Sequence, residues 1–193
     1  EISECLVGSE MCIRDSGYGG SCFPKDVKAL IKTAEQNGYE MTVLKAVEAV
    51  NERQKSILFH KLDTAWQHGL AGKTVTLWGL AFKPETDDMR EAPSLVLIRK
   101  LLEAGCTVRV YDPEAMDECR RRLGDAVIYA RDMYEAALDA DALLLVTEWK
   151  EFRLPAWGVL KKTMSGRLII DGRNVYDTDE VREAGFEYHC IGK

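Results

Sequence analysis

The fold of this chain is decided by Ala142-Leu-Leu-Leu-Val-Thr147 and Arg167-Leu-Ile-Ile-Asp171, two short runs of almost unbroken apolar residues. Runs of this length without polar alternation are typical of strands that are buried on both faces of a parallel sheet. A third run, Thr74-Val-Thr-Leu-Trp-Gly-Leu80, has the same character. We therefore expect a central sheet that is covered by helices on both faces.

The segments around these runs alternate between strand and helix patterns. The sequence predicts further strands at 107–111, 127–129 and 186–191, and helices at 94–104, 113–123 and 133–140. This alternation favours an α/β fold with a Rossmann-like, doubly wound parallel sheet. We expect this domain to span residues 73–193.

The preceding segment, residues 17–72, is predicted to be helical. Pro24, Asp26 and Gly38 are the start, first-turn and stop signals of one helix. A second, long helix is expected from Thr42 to Trp66. Its apolar stripe fits either a dimerisation surface or a core helix, and the stripe consists of Val43, Val47, Val50, Ile57, Leu58, Leu62 and Ala65.

Residues 1–16 show no clear period, and we expect either a foreign or disordered lead-in or a native segment. The composition of all 193 residues, 46% hydrophobic and 30% charged, is that of a globular protein with an ordinary core. No apolar run approaches the ~18 residues of a membrane span, and the N-terminus does not resemble a secretory signal. The net charge of −6 argues against a nucleic-acid partner.

The six cysteines and three histidines lack the spacing of a metal site, so we expect no metal. Free thiols favour a reducing cytoplasm as the location of the protein.

The stretch Gly17-Tyr-Gly-Gly-Ser-Cys-Phe-Pro-Lys-Asp26 is the strongest candidate for chemistry. Its cysteine, Cys22, follows a glycine loop at the start of a helix, where backbone N–H groups favour a thiolate and could hold an oxyanion. Lys25 adds positive charge, and Asp26 could orient a water molecule. From the residues alone, an ordinary buried cysteine at a loop-to-helix junction is an equally good interpretation.

This stretch resembles the active-site signature of the UDP-glucose/GDP-mannose dehydrogenase family. Two later segments fit the same family in the same order: Leu80-Ala-Phe-Lys-Pro-Glu-Thr-Asp-Asp-Met-Arg-Glu-Ala-Pro-Ser94 and Asp171-Gly-Arg-Asn174. The resemblance covers residues 17–193, and the residues of these motifs are most similar to those of the UDP-glucose 6-dehydrogenases within the family.

The resemblance implies an NAD-dependent oxidation of the C6 alcohol of UDP-glucose to UDP-glucuronate, through a thiohemiacetal and a thioester on a cysteine. It implies Cys22 as the nucleophile and Asp26 as the residue that assists the hydrolytic water. The substrate-binding residues that it implies are Tyr18, Gly19, Gly20, Ser21, Phe82, Lys83 and Arg173. Lys25 and Arg90 are implied to reach NAD, and the protein is implied to form a homodimer or a higher homo-oligomer.

Chain position supports part of this assignment independently. Lys83 and Arg173 each follow a predicted strand, so both are expected at the carboxyl edge of the sheet, where open α/β folds bind ligands. Two cations suit a diphosphate there. The alternatives are a solvated Lys83, and a salt bridge from Arg173 to Asp171 or Asp177.

For Arg90 the alternative is a structural ion pair, because Asp87, Asp88 and Glu91 are nearby partners in the sequence. No Gly-x-Gly-x-x-Gly turn follows a predicted strand, so the main NAD-binding domain of the family is not found here. We therefore expect the chain to be the C-terminal portion of such an enzyme and to be inactive alone. The alternatives are a dehydrogenase of GDP-mannose or a UDP-N-acetylhexosamine, or a non-catalytic module for nucleotide-sugar binding or dimerisation.

Overall fold

The computed structural model describes residues 16–192, so the expectation for the lead-in at 1–16 lies almost wholly outside the described residues. The helices are α1 (Phe23–Gln36), α2 (Thr42–Gln54), α3 (Ile57–Ala65), α4 (Pro93–Glu103), α5 (Met116–Leu123), α6 (Met133–Ala137), α7 (Trp157–Thr163) and α8 (Thr178–Glu183). The strands are β1 (Thr74–Trp78), β2 (Thr107–Tyr111), β3 (Ile128–Tyr129), β4 (Ala142–Leu145), β5 (Leu168–Asp171) and β6 (Glu187–Cys190).

The strands form one parallel sheet in the order β3-β2-β1-β4-β5-β6. This is the order of a Rossmann-like doubly wound sheet, so the predicted fold class is confirmed. The strand order reverses between β1 and β4, where Trp78 pairs with Leu145 at the carboxyl end. A crevice at such a reversal is the usual ligand position in this architecture.

Each face of the sheet packs against its own set of helices. On one face, Leu77, Val110 and Leu144 pack with the buried side chains of α3, α4 and α5. On the other face, Trp78 and Leu143 pack with those of α6, α7 and α8. The central strands are therefore covered on both sides, as their apolar runs predict.

The prediction of a single long helix from Thr42 to Trp66 is wrong. The chain forms two helices, because a turn at Lys55 and Ser56 interrupts it, with the Ser56 N–H donating to the Arg53 carbonyl at 3.1 Å. The turn allows α3 to lie on the sheet, where Leu58 is buried, while Asn51 is the only fully buried residue of α2. Leu58 therefore belongs to the core and not to an exposed stripe.

Several shorter elements also differ from expectation. The helix predicted at 113–123 begins only at Met116, because the Asp112 carboxylate accepts the N–H groups of Glu114 and Ala115 in a separate turn. The helix predicted at 133–140 ends at Ala137. The sequence analysis did not predict α7 or α8, whose 7 and 6 residues are too few to establish a helical period.

Candidate active site

The loops at the carboxyl edge of the sheet are held by two fully buried aspartates, Asp112 and Asp171. Asp171 was noted in the sequence as part of the segment at 171–174 and as a possible partner of Arg173, whereas Asp112 was not noted. Asp112, just after β2, accepts hydrogen bonds from the N–H groups of Leu80 (2.6 Å) and Ala81 (3.2 Å) and from the Trp149 indole (3.1 Å). The sequence signal for Asp112 was an acidic residue directly after an apolar strand. A carboxylate buried at such a position needs several hydrogen-bond donors around it.

Asp171, the last residue of β5, does the same for the neighbouring loop. Its carboxylate accepts from the N–H groups of Arg173 (2.8 Å), Val175 (2.8 Å) and Tyr176 (3.0 Å) and from the Tyr188 hydroxyl (2.9 Å). The two aspartates thus shape the backbone that follows β1 and β5, where Lys83 and Arg173 lie.

Cys22 is exposed and lies at the N-terminal end of α1, directly before Phe23 and Pro24. Its sulfur lies 3.6 Å from the Ser21 hydroxyl oxygen. Asp26 lies one turn further along α1 and donates its N–H to the Cys22 carbonyl at 2.9 Å, so the two side chains share a helix face. The predicted nucleophile is therefore accessible, with a carboxylate nearby.

The glycine loop before Cys22 packs directly on the segment after β1. A Cβ at Gly19 would lie 2.6 Å from the Glu91 carbonyl oxygen, and one at Gly20 would lie 2.9 Å from the Phe82 ring. The Gly20 N–H also donates to the Arg90 carbonyl at 2.8 Å. Only glycine allows this close approach, which joins the cysteine loop to the sheet edge.

Tyr18 is fixed to α2 through its backbone and its hydroxyl. Its N–H donates to Asn51 Oδ1 at 2.8 Å, and its carbonyl accepts from Asn51 Nδ2 at 3.2 Å. The hydroxyl donates to the Glu48 carboxylate. Burial, followed by this hydrogen bond to Glu48, raises the pKa of the Tyr18 hydroxyl above its ordinary value.

Phe82 and Lys83 lie at the sheet edge, as predicted. The Lys83 ammonium lies 5.4 Å from the centre of the Phe82 ring, and its side chain is exposed. The Phe82 N–H donates to the Asp88 carbonyl at 3.0 Å, which folds the segment back toward the cysteine loop.

Arg173 lies at the same edge, but its side chain is almost fully buried. The guanidinium lies 3.0 Å from the Glu148 carboxylate and donates to the carbonyls of Val146 (2.8 Å) and Phe82 (3.0 Å). The sequence analysis proposed Asp171 as an alternative partner, and it is the backbone N–H of Arg173 that binds Asp171. The structure therefore joins Arg173 to the loops after β1 and β4.

The two residues predicted to reach the cofactor line one cavity beside Cys22. This cavity has a volume of about 560 Å³, and its lining includes Lys25, Lys28, Arg90 and Arg122 together with Glu91. Arg90 donates two hydrogen bonds to the Asp88 carboxylate, at 2.9 and 3.0 Å. This side-chain hydrogen bonding by Arg90 is the main reason that the pKa of Asp88 falls below its ordinary value.

The described residues, 16–192, contain no cluster of three or more histidine, cysteine or acidic residues placed to hold a metal ion. None of the helices among them has the length and apolar character that a bilayer crossing requires.

Two domain models of one protein family match the segments that form this site. Residues 76–178 match the UDP binding domain of the UDP-glucose/GDP-mannose dehydrogenase family, and residues 4–53 match the central domain of that family. The chain belongs to the UDP-glucose/GDP-mannose dehydrogenase family. The two matches include β2 to β5 and most of β1, as well as the cysteine loop, and the resemblance seen in the sequence is confirmed.

Individual relatives in the family support the same placement. A UDP-glucose 6-dehydrogenase of Pseudomonas aeruginosa is 50% identical over 196 residues, which cover 99% of this chain and 43% of that protein. One of Rhizobium meliloti is 42% identical over 187 residues, which cover 97% of this chain and 43% of that protein. The chain thus spans about 43% of the length of these relatives.

Solved structures of the family share the fold. A UDP-glucose dehydrogenase of Pyrobaculum islandicum has a TM-score of 0.78 at 38% identity, over 91% of this chain and 38% of that one. An NDP-N-acetyl-D-galactosaminuronic acid dehydrogenase of Methanosarcina mazei has a TM-score of 0.80 at 26% identity, over 93% of this chain and 39% of that one.

Proposed function

We propose that this chain is the cysteine-loop and UDP-sugar-binding part of an NAD-dependent UDP-glucose 6-dehydrogenase. The observation that carries the proposal is the packing of Gly19 and Gly20 against Phe82 and Glu91, because it brings Cys22 beside the edge of the sheet that binds nucleotides in this architecture. A reacting sugar and its diphosphate anchor can then share one site.

In this proposal, Phe82 and Lys83 hold the sugar nucleotide at the carboxyl edge of the sheet. Arg173 supports the site indirectly, because its guanidinium donates a hydrogen bond that fixes the Phe82 carbonyl. The positive charge of Arg173 is itself neutralised by the Glu148 carboxylate. Tyr18, with Gly19, Gly20 and Ser21, lines the sugar end, where C6 must approach the Cys22 sulfur. Lys83 supplies the exposed charge for the diphosphate.

Cys22 acts after the first oxidation of C6. Its sulfur adds to the carbonyl carbon of the aldehyde, which forms a thiohemiacetal, and the N–H groups at the start of α1 favour the oxyanion. After the second oxidation, the same carbon is a thioester. Water then attacks it with help from Asp26, the carbon–sulfur bond breaks, and UDP-glucuronate leaves the free thiol behind.

The residues beside Cys22 fit the phosphates of a dinucleotide. Lys25 and Arg90 would hold the nearer part of NAD in the cavity that they line, and Lys28 and Arg122 add positive charge there. When bound, NAD supplies the acceptor for the electrons that leave C6. Arg90 stays oriented by Asp88, so its guanidinium presents a fixed edge to the cavity.

The proposal also includes a homodimer or a higher homo-oligomer, formed through the exposed valines of α2. It includes a cytoplasmic location, because a reducing compartment keeps the Cys22 thiol free. Among the described residues, Cys22 is exposed, and Cys106, Cys119 and Cys190 are buried free thiols.

The test is a Cys22→Ser substitution in the full-length protein, with UDP-glucuronate measured by chromatography and NADH by absorbance. We expect acid formation to fall by at least about a thousand-fold, because the serine alkoxide is a poorer trap and its ester does not hydrolyse as readily. Cys106→Ser is the matched control, since this distant residue can keep its hydrogen bond to the Leu70 carbonyl. Normal UDP-glucuronate formation by Cys22→Ser would refute the proposed role.

In the same experiment, kcat/KM of the wild-type protein is measured for UDP-glucose, GDP-mannose and the UDP-N-acetylhexosamines. The sugar nucleotide with the highest kcat/KM identifies the substrate, and we expect it to be UDP-glucose. Faster oxidation of one of the others would move the proposal to that member of the family.

A further inference from the structure

Asn51 of α2 is a buried amide whose two polar atoms are both used by one residue of the cysteine loop. Its Oδ1 accepts the Tyr18 N–H at 2.8 Å, and its Nδ2 donates to the Tyr18 carbonyl at 3.2 Å. Only 5% of Asn51 is exposed. The side chain therefore pairs with the loop backbone as a neighbouring strand would, four residues before Cys22.

The loop approaches this amide closely. Gly17 has a φ of +90°, and a Cβ added there would lie 2.7 Å from Asn51 Oδ1. On its other side, the loop is held by the hydrogen bond from Gly20 to Arg90 and by the contact of Gly19 with Glu91. The loop is thus clamped between α2 and the segment that follows β1.

The same face of α2 also holds that second segment. Lys55, four residues after Asn51, is buried, and its ammonium lies 3.0 Å from the Glu91 carboxylate. Glu48, three residues before Asn51, binds the Tyr18 hydroxyl. Residues at these spacings lie on one face of a helix, so α2 sets the position of the loop relative to the sheet edge.

We propose that Asn51 is a positioning residue for Cys22. It touches neither the sugar nor the cofactor in the proposed function, on which its catalytic consequence rests, and it acts by fixing the Tyr18 backbone and thereby the path of the loop to the sulfur. A displacement of about 1 Å at a reacting group can cost roughly 100-fold in rate. The predicted effect is therefore on kcat more than on the binding of UDP-glucose, because the diphosphate that anchors it is held at the sheet edge in the proposed function.

The experiment uses the full-length protein with Asn51→Leu, which keeps the branched shape and removes both hydrogen bonds, and Asn51→Asp, which keeps the acceptor alone. Arg53→Ala, an exposed residue of the same helix, is the control. Hydrogen exchange of the peptide at 17–23 reports the anchoring without any need for activity. Steady-state kinetics separate kcat from KM, and thermal unfolding monitors the fold.

We expect Asn51→Leu to speed exchange of the loop peptide and to lower kcat by about 10- to 100-fold, while KM for UDP-glucose stays within about threefold. Asn51→Asp should fall between Asn51→Leu and the wild type, and Arg53→Ala should match the wild type. If Asn51→Leu does not fold, the same comparison is made with Asn51→Asp.

The inference is overturned if loop exchange and kcat are unchanged in the folded variant, or if kcat falls only in proportion to the folded fraction. A wild-type protein with no dehydrogenase activity would instead contradict the proposed function. In that case the exchange experiment alone decides whether Asn51 anchors the loop.

Discussion

Gly20 is a residue at which a single methyl group should disturb both stability and chemistry. Its φ is +89°, and a Cβ there would lie 2.9 Å from two atoms of the Phe82 ring. Gly38 is a matched control, because its φ is +74° and no atom lies within 4 Å of the added Cβ. The two positions therefore share the backbone strain and differ in the contact.

We predict that Gly38→Ala lowers the free energy of unfolding by about 1 kcal/mol, the ordinary cost of a left-handed alanine. Gly20→Ala should cost at least about 2 kcal/mol, since the Phe82 ring must also shift. It should also lower kcat in the full-length protein. Chemical denaturation and kinetics check both values, and equal costs for the two variants would show that the Phe82 contact contributes nothing.

Glu91 gives the site a predicted dependence on pH. Hydrogen bonds from Lys55 and then Lys28 hold the pKa of its carboxyl below the ordinary value of 4.5. A carboxyl whose pKa is lowered by folding stabilises the protein above its unfolded pKa and loses this contribution as the pH falls through the folded pKa. Its stabilisation is therefore present at neutral pH and is lost in acid, as the pH falls through the lowered pKa of this carboxyl.

We predict that Glu91→Gln is less stable than the wild type at neutral pH, by at most about 1 kcal/mol because the carboxylate is half-exposed. The difference should shrink as the pH falls through the lowered pKa of the Glu91 carboxyl, because the protonated wild-type side chain no longer makes this contribution. Denaturation curves at neutral pH and across the acid range measure it. Glu183→Gln, at an exposed position of α8, is the control, and a difference that persists in acid would contradict the assignment.

Candidate site residues could be proposed from the sequence where the proposed chemistry is local. Cys22 and Asp26 belong to one short motif, and Lys83 follows directly on an apolar strand. Asn51 and Asp112 could not be found in this way, because their partners, Tyr18 and Leu80, lie more than 30 residues away in the chain. Hydrogen bonds of this kind have no sequence period.

The central strands β1, β4 and β5 were predictable as elements because burial on both faces leaves an almost unbroken apolar run. The division of the long helix at Lys55 was not predictable, because the apolar spacing continues through the turn. What changes at this turn is the surroundings of the apolar side chains. The stripe on α2 faces outward, with Val43 at 76% exposure, whereas Leu58 on α3 is 2% exposed. One continuous apolar spacing in the sequence therefore corresponds to two different surfaces in the structure, an exposed one on α2 and a buried one on α3.

This division sharpens the prediction of a dimer. Val43, Val47 and Val50 line a cavity of about 440 Å³ together with Phe23, and all four are exposed. An apolar surface of this kind is stabilised when a second copy covers it. Because Leu58 lies in the core, the interface must be formed by α2 and not by α3.

We predict that Val50→Lys converts the dimer to a monomer with an unchanged far-UV spectrum, because a lysine at the interface must be buried without a partner. Leu58→Lys should instead unfold the chain. Analytical ultracentrifugation and circular dichroism distinguish the two results. Arg53→Ala, at an exposed polar position, should stay dimeric, and a wild-type monomer at high concentration would end the hypothesis.

For the whole molecule, the sequence was sufficient to predict the parallel sheet and its carboxyl edge but not the path by which α2 and α3 reach it. Leu58 and Leu62 of α3 pack into the same core as β1 and β4. A fragment that begins at residue 73 would therefore lose part of that core. Binding experiments on the sheet domain must retain α3, so the whole 193-residue chain is the suitable protein for them.

We predict that this chain binds UDP-glucose and does not bind NAD with useful affinity. The sugar nucleotide has its proposed contacts on one edge of the sheet, where Phe82 and Lys83 lie. NAD needs a tight glycine turn at a helix N-terminus for its pyrophosphate, and the segment after β1 has Gly79-Leu-Ala-Phe82 instead. Lys25 and Arg90 would contact only one end of the cofactor, which does not replace that turn.

Calorimetric titration with UDP, UDP-glucose and NAD tests this prediction. Loss of one charge-assisted contact costs about 1.5–3 kcal/mol, so Lys83→Ala should weaken the binding of UDP by roughly tenfold or more. Lys162→Ala is the control, since this exposed lysine lies near the end of α7, toward the opposite edge of the sheet. Tight binding of NAD, or UDP binding that Lys83→Ala leaves unchanged, would mean that the diphosphate lies elsewhere on the molecule.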